Sequence, residues 1–218
     1  MPQRSYISPK QWKKYYKELP HWAVSLEPSK LAFSFIKFLK KHRITKGKIL
    51  EVGCGNGRDS FFFACHRFDV IGIDIAPGAI ALCKKNKTAF TKKRIIKKPQ
   101  IKFSVTKAEK LPFKEKSFIG AYSIGVLHNT NLEKSLRELA RVIKNNGLIV
   151  IHLYEKTIFL PTKKVEKYYS SREIKNILTK LPFHILKFES KITRKKLDYD
   201  EEAGRHKHFA IILYLKKA

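Results

Sequence analysis

The chain has 218 residues, 43% of them hydrophobic, which suffices for one domain with a full core and excludes a disordered polymer. Its 47 Lys and Arg against 18 Asp and Glu give a net charge of +29. Such an excess fits either a phosphate-rich RNA or DNA partner or a lysine coat on a solvated surface. No apolar run reaches membrane-spanning length, so no transmembrane helix is expected.

In chain order, residues 9–19 are predicted as a helix, with Pro9 near its start and Trp12, Tyr15, Tyr16 and Leu19 recurring at helical spacing. A loop through His21 and Trp22 precedes a second helix from about Pro28 to Arg43. Ile49, Leu50 and Val52 then mark a buried strand over 48–52, followed by a glycine-rich turn and a helix over 57–67. A second apolar strand, 69–73, ends at Asp74, and Pro77 opens the next helix, where its missing N–H is harmless. Further strands are expected at 101–106, 118–124 and 147–153, with a helix over 132–144 closed by an Asn145–Asn146–Gly147 cap. Ser170 and Glu173 form a capping box for a helix over 171–180, and strands at 183–193 and 207–215 complete the pattern. Strand-helix alternation argues for an α/β fold with a mostly parallel sheet covered on both faces. The last two strands, with no helix between them, should pair antiparallel.

The cysteines are Cys54, Cys65 and Cys83, without a C-x-x-C pair. They read as free thiols of a reducing cytoplasm rather than a zinc or disulfide set. Residues 1–20 lack the apolar core of a secretory signal, so a cytoplasmic location is expected. Residues 84–98 hold eight basic residues and no acid, either a solvated helix end or a phosphate-binding patch. The stretch from Leu197 to His208 carries Asp198, Asp200, Glu201 and Glu202 and reads as a solvated turn.

The chemistry concentrates at Glu51-x-Gly53-x-Gly55-x-Gly57. Glycine lets the backbone turn tightly and a ligand approach it, and the next helix presents its first amides there. The spacing differs from the G-x-G-x-x-G of dinucleotide sites. A carboxylate ending the second strand, Asp74, is placed to accept from two ribose hydroxyls. Together these motifs resemble the class I S-adenosylmethionine-dependent methyltransferases. Ala108–Phe113, Ser117–Ser123, Val126–Asn129 and Leu136–Gly147 extend the likeness over roughly residues 45–155. Gly53–Arg58 is most similar to the tellurite-resistance and thiopurine-type members.

The resemblance implies a seven-stranded, mostly parallel sheet with the last strand antiparallel. It implies one methyltransferase domain over 1–218, divided into an N-terminal helical extension or lid (1–46) and a Rossmann-like core (47–218). The cofactor is S-adenosylmethionine, the product S-adenosylhomocysteine, and no metal is expected. Expected cofactor-binding residues are Glu51, Gly53, Cys54, Gly55, Asn56, Gly57, Arg58, Asp74, Ile75, Ala108, Glu109 and Ser123. Arg58 would hold the methionine carboxylate with its planar fork. Lys107 stands where many members have an Asp for the adenine, which leaves that contact to backbone or Glu109. The reaction would be an in-line displacement at the sulfonium methyl, in which the protein mainly aligns the groups. His128 is the candidate base, with packing beneath the acceptor loop as its alternative role. Tyr15, Trp22, Tyr154 and His206 are candidate acceptor contacts. A small-molecule acceptor is expected, with tRNA methylation on the basic surface or cofactor binding without catalysis as alternatives. No membrane partner is expected, and the oligomeric state stays open.

Overall fold

Ile49, Leu50 and Val52 are each no more than 2% exposed, and the strand they form is the axis of the sheet. The computed structural model describes residues 8–18, 25–92, 100–159, 165–194 and 206–218. Helix α1 spans Pro9–Glu18 and α2 spans Lys30–Lys41. Then come β1 (Gly47–Val52), α3 (Arg58–Cys65), β2 (Phe68–Asp74), α4 (Pro77–Lys92), β3 (Ile101–Val105) and β4 (Phe118–Ile124). A 3-10 turn at Leu127–Asn129 leads to α5 (Leu132–Val142), β5 (Ile143–Phe159), β6 (Val165–Lys167), α6 (Ser171–Leu178), β7 (Phe183–Arg194) and β8 (His206–Lys217).

The strands run β3-β2-β1-β4-β5-β8-β7, with β6 against β5. Pairs among β1 to β5 are parallel, and β8 lies antiparallel to both β5 and β7. Alternation along the strands supplies two cores. Ile49, Val70, Tyr122, Leu148 and Val150 pack on one face with Phe35 and Leu39 of α2 and with Phe61 and Phe63 of α3. Leu50, Val52, Ile73, Ala121, Ile149 and Ile151 pack on the other with Leu132, Leu136 and Leu139 of α5 and with Ile174 and Leu178 of α6. The expected α/β sheet with its antiparallel end is therefore present, and β6 is an eighth strand that the sequence pattern did not announce.

Three boundaries depart from expectation. Helix α2 begins at Lys30 because Ser29 caps it, in extended backbone and accepting from the Ala32 N–H, so Pro28 precedes the cap. Helix α5 stops at Val142 because Ile143 already pairs with Phe118 in the sheet. Asn145–Gly147 therefore lie within β5 rather than in a helix cap, with Asn146 in the left-handed region at φ 64°. Strand β5 runs on past Leu153 to Phe159, because β8 pairs with it through His206 and β6 joins it at residues 156–158. That overhang reaches beyond Ile124, where β4 ends, and stands over the carboxyl edge of the sheet.

Candidate active site

The glycine turn is stitched to the end of β2. The N–H groups of Gly53 and Cys54 both donate to the Ile73 carbonyl, at 2.7 and 2.9 Å. The Asp74 carboxylate then reaches back across the turn. One oxygen accepts from the Gly55 N–H at 3.0 Å and the other from the Ala76 N–H at 2.9 Å. Burial raises its pKa, partly offset by those backbone donors. The turn and the acid thus face one another, as a shared adenosyl ligand requires.

Beneath the turn lies a buried polar cluster. Glu51 is 2% exposed and accepts from the Ser60 hydroxyl. Burial, and then the nearby Asp59, pushes its carboxyl well above the usual range. Asp59, 1% exposed, accepts from the N–H and hydroxyl of Ser29, each at 2.8 Å, and from the Tyr122 hydroxyl at 3.2 Å. Asp59 lies in the first turn of α3, where its charge complements the helix dipole, and it ties α2, α3 and β4 together as well. Asn56 works alongside it, donating to the Ser25 carbonyl at 2.6 Å and accepting from the Arg58 N–H. Arg58 keeps its side chain 35% exposed, with Nε 3.9 Å from Asp59.

Other expected residues fall in several places. Ser123 is buried and donates to the Val52 carbonyl at 3.0 Å, which binds β4 to β1. Ile75 sits half-buried between Asp74 and Ala76. Ala108 is buried, and Glu109 accepts from the Asn131 N–H at 3.2 Å. Lys107 is exposed. Tyr15 is half-buried and meets Trp12 edge-on. His21, Trp22, residues 93–99 and most of the acidic 197–208 stretch lie outside the described residues, as does the side chain of His206. Tyr16, which the helical spacing of α1 marks as a core or lid residue, borders the glycine turn. It packs on Ala76 and Ala79, and its hydroxyl lies so close over Gly55 that a methyl there would come within 2.7 Å of it. That spacing marks a buried face without naming what it covers.

His128 is 2% exposed, wedged between the rings of Tyr154 and Tyr168 at centroid distances of 4.9 and 4.7 Å. Its Nδ1 accepts from the Tyr154 N–H at 3.4 Å, and its Nε2 lies 3.1 Å from the Asn129 amide. Burial, and then His152 and His208, lowers its pKa to about 3 rather than leaving it near neutrality. A ring held neutral so far below working pH is a weak proton acceptor, so the geometry favours the packing role. Tyr154 stacks on His208 at 4.1 Å, which extends this aromatic wall along the β5 overhang.

This placement has a measurable consequence. The imidazole titrates near 6.5 when unfolded and about 3 when folded, so its contribution is constant above 6.5 and stability is lost as pH falls between those values. The slope approaches about 1.4 kcal/mol per pH unit. Glu51 and Asp74 act oppositely, since burial raises their carboxyl pKa values. The urea stability of the unaltered chain relative to His128→Gln should therefore fall as pH is lowered from about 6 to about 4, since the carboxylates act equally in both chains. Equal slopes would contradict a buried neutral ring.

Among the described residues, no three His, Cys, Asp or Glu side chains gather as a metal-holding group, and no helix is long and apolar enough to cross a membrane.

The methyltransferase domain family matches residues 50–151. An uncharacterized protein of Methanocaldococcus jannaschii, MJ1123, is 30% identical over 80% of this chain and 81% of its own length. The demethylmenaquinone methyltransferase of Renibacterium salmoninarum is 27% identical over 58% of this chain and 49% of its own. The chain spans about half the length or less of several curated relatives it matches, and 35% of a second Methanocaldococcus jannaschii protein, MJ1252. Among solved structures, the magnesium protoporphyrin IX methyltransferase of Synechocystis with bound SAM superposes with a TM-score of 0.68 at 14% identity, covering 99% of this chain and 100% of that one. The strand order agrees with these findings: the chain belongs to the methyltransferase domain family and has the class I S-adenosylmethionine-dependent methyltransferase fold.

Proposed function

We propose that the chain binds S-adenosylmethionine on the Gly53–Gly57 turn and transfers its methyl group to a small molecule. The observation that carries this reading is the 3.0 Å bond between Gly55 and Asp74. The Asp74 oxygens accept from the Gly55 and Ala76 N–H groups, with the Ile75 N–H as a third backbone donor, and ribose hydroxyls would take the acceptor positions that these donors leave. Arg58, half-exposed at the start of α3, would hold the methionine carboxylate, in keeping with the likeness to the tellurite-resistance and thiopurine-type enzymes. When bound, the cofactor supplies an electrophilic methyl on a sulfonium leaving group.

The chain's own part is positioning. Val126 packs against Gly53, so the loop after β4 borders the turn. Beside it, Gly125 has φ 70°, and a methyl there would meet no described atom within 4 Å. This open side of the loop is where an acceptor would stand. Small acceptors are supported by the names of the relatives, which act on demethylmenaquinone and magnesium protoporphyrin IX. The test is transfer of labelled methyl to separated metabolite, RNA and protein pools. Label in the metabolite fraction is expected, and label confined to RNA or protein would overturn the reading.

The net charge of +29 favours one other acceptor, RNA. Lys84, Lys85 and Lys87 are exposed on α4, on the basic stretch. That reading requires retention on bulk tRNA that weakens steeply with salt. Absent or salt-independent retention would remove it.

A further inference from the structure

Two thiols meet beneath the glycine turn. Cys54 sits between Gly53 and Gly55, and Cys83 lies on α4, the helix that follows Asp74. Their sulfurs are 3.8 Å apart, and the side chains are 4% and 0% exposed. Cys83 also donates its thiol to the Gly55 carbonyl, at 3.1 Å. One cysteine is thus part of the turn, and the other holds it from below. A disulfide places its sulfurs about 2.05 Å apart, so this pair needs to close by about 1.8 Å. Cys65 is exposed on α3, apart from the pair.

We propose that Cys54 and Cys83 form a modifiable dithiol, which a small thiol oxidant converts to a disulfide, and that this bond weakens cofactor binding by the turn. The second half rests on the reading of the turn as the cofactor site. With a diazene oxidant such as diamide the step balances. The Cys54 thiolate adds to one nitrogen of the N=N bond, and the other nitrogen takes up a proton. The Cys83 thiolate then attacks the Cys54 sulfur, forming the S–S bond and breaking S–N. The released nitrogen takes the second proton. Two thiols are oxidised to one disulfide and the diazene is reduced to a hydrazine.

The effect on binding follows from what each sulfur now does. Closing the bond takes the Cys83 donor away from the Gly55 carbonyl and draws Cys54 toward α4. Gly55 is the residue whose N–H meets Asp74 at 3.0 Å, so the movement is delivered to the ribose acid. Linkage runs the other way too: a cofactor that prefers the reduced turn protects the thiols. Burial, and then the neighbouring Cys83, raises the Cys54 pKa, which keeps thiolate scarce and makes opening of the turn the slow step.

The experiment uses the full chain carrying Cys65→Ser, treated with diamide, digested without reductant and followed by mass spectrometry. S-adenosylhomocysteine affinity is measured by calorimetry before oxidation, after it, and after dithiothreitol. A peptide joining Cys54 to Cys83 is expected, with binding weakened about tenfold, equivalent to about 1.4 kcal/mol, and restored by reduction. Prior saturation with S-adenosylhomocysteine should slow the cross-link. No joined peptide, or a joined peptide with unchanged affinity, overturns the proposal. Cys83→Ala should make affinity indifferent to diamide, with Cys54→Ala in its place if that variant does not fold; an oxidant-sensitive affinity in the variant places the effect elsewhere and overturns it. If the reduced chain binds no S-adenosylhomocysteine, the cofactor reading falls and takes the second half with it, whereas the joined peptide still establishes the dithiol.

Discussion

Replacing Asp74 with alanine is expected to remove measurable S-adenosylhomocysteine binding in a calorimetric titration. Two effects act together. The change deletes the acceptor for two ribose hydroxyls, each charge-assisted bond being worth about 1.5–3 kcal/mol. It also strips the Gly55 and Ala76 N–H groups of their partners, at 3.0 and 2.9 Å, in a partly buried place where an unpaired donor is unfavourable. Together they imply a loss of about 3–6 kcal/mol, or at least a hundredfold in affinity. Asp74→Asn is the finer probe. Its amide keeps the size and one acceptor but loses the charge, so binding should weaken less than in the alanine variant. Thermal unfolding of each variant separates a lost ligand contact from a collapsed turn. Unchanged affinity in a folded Asp74→Ala chain would remove the ribose role and leave the turn without its ligand.

That Asp74 and the turn were legible in the sequence has a physical basis. Glycine at alternate positions is a backbone requirement, and an acid ending an apolar strand occupies a place that strand geometry makes predictable. The same is true of α6, whose Ser170–Glu173 capping box is formed in full. Features that rest on distant partners were hidden. Tyr154–Phe159 carries Glu155, Lys156 and Thr157 and has no strand alternation of its own. It is a strand because β8 and β6 flank it. Likewise nothing near His128 in the chain announces its burial, which comes from Tyr154 and Tyr168 on later elements. Residue type suggested a group that titrates near neutrality, whereas the surroundings push it to about 3. The Ser29–Asp59–Tyr122 tie and the Cys54–Cys83 pair are equally nonlocal, since each joins side chains brought together only by packing.

Gly53→Ala is expected to destabilise the chain by about 3 kcal/mol and to abolish cofactor binding, even though it adds one methyl group. The residue has φ 77°, where an L side chain is disfavoured by about 1–2 kcal/mol. The added methyl would also fall 2.1 Å from Val126 Cγ2, far inside contact distance. Either the turn or the loop after β4 must then move. The turn is held by two N–H donors on the Ile73 carbonyl, and the loop by the Gly125 N–H on the His152 carbonyl at 3.1 Å. Both routes break backbone bonds that carry the site. A double variant separates the two causes. Val126→Ala deletes the two γ carbons, leaving the added methyl 2.9 Å from the Val126 Cβ. In urea denaturation the Gly53→Ala/Val126→Ala chain should therefore be more stable than the sum of the single changes predicts, by about 1 kcal/mol. The φ penalty remains in both backgrounds, so recovery should be incomplete. Strict additivity would mean that Val126 is not what Gly53 makes room for. A Gly53→Ala chain as stable as the unaltered one would mean that the turn is free to take another path, and a turn with that freedom would not hold Gly55 against Asp74.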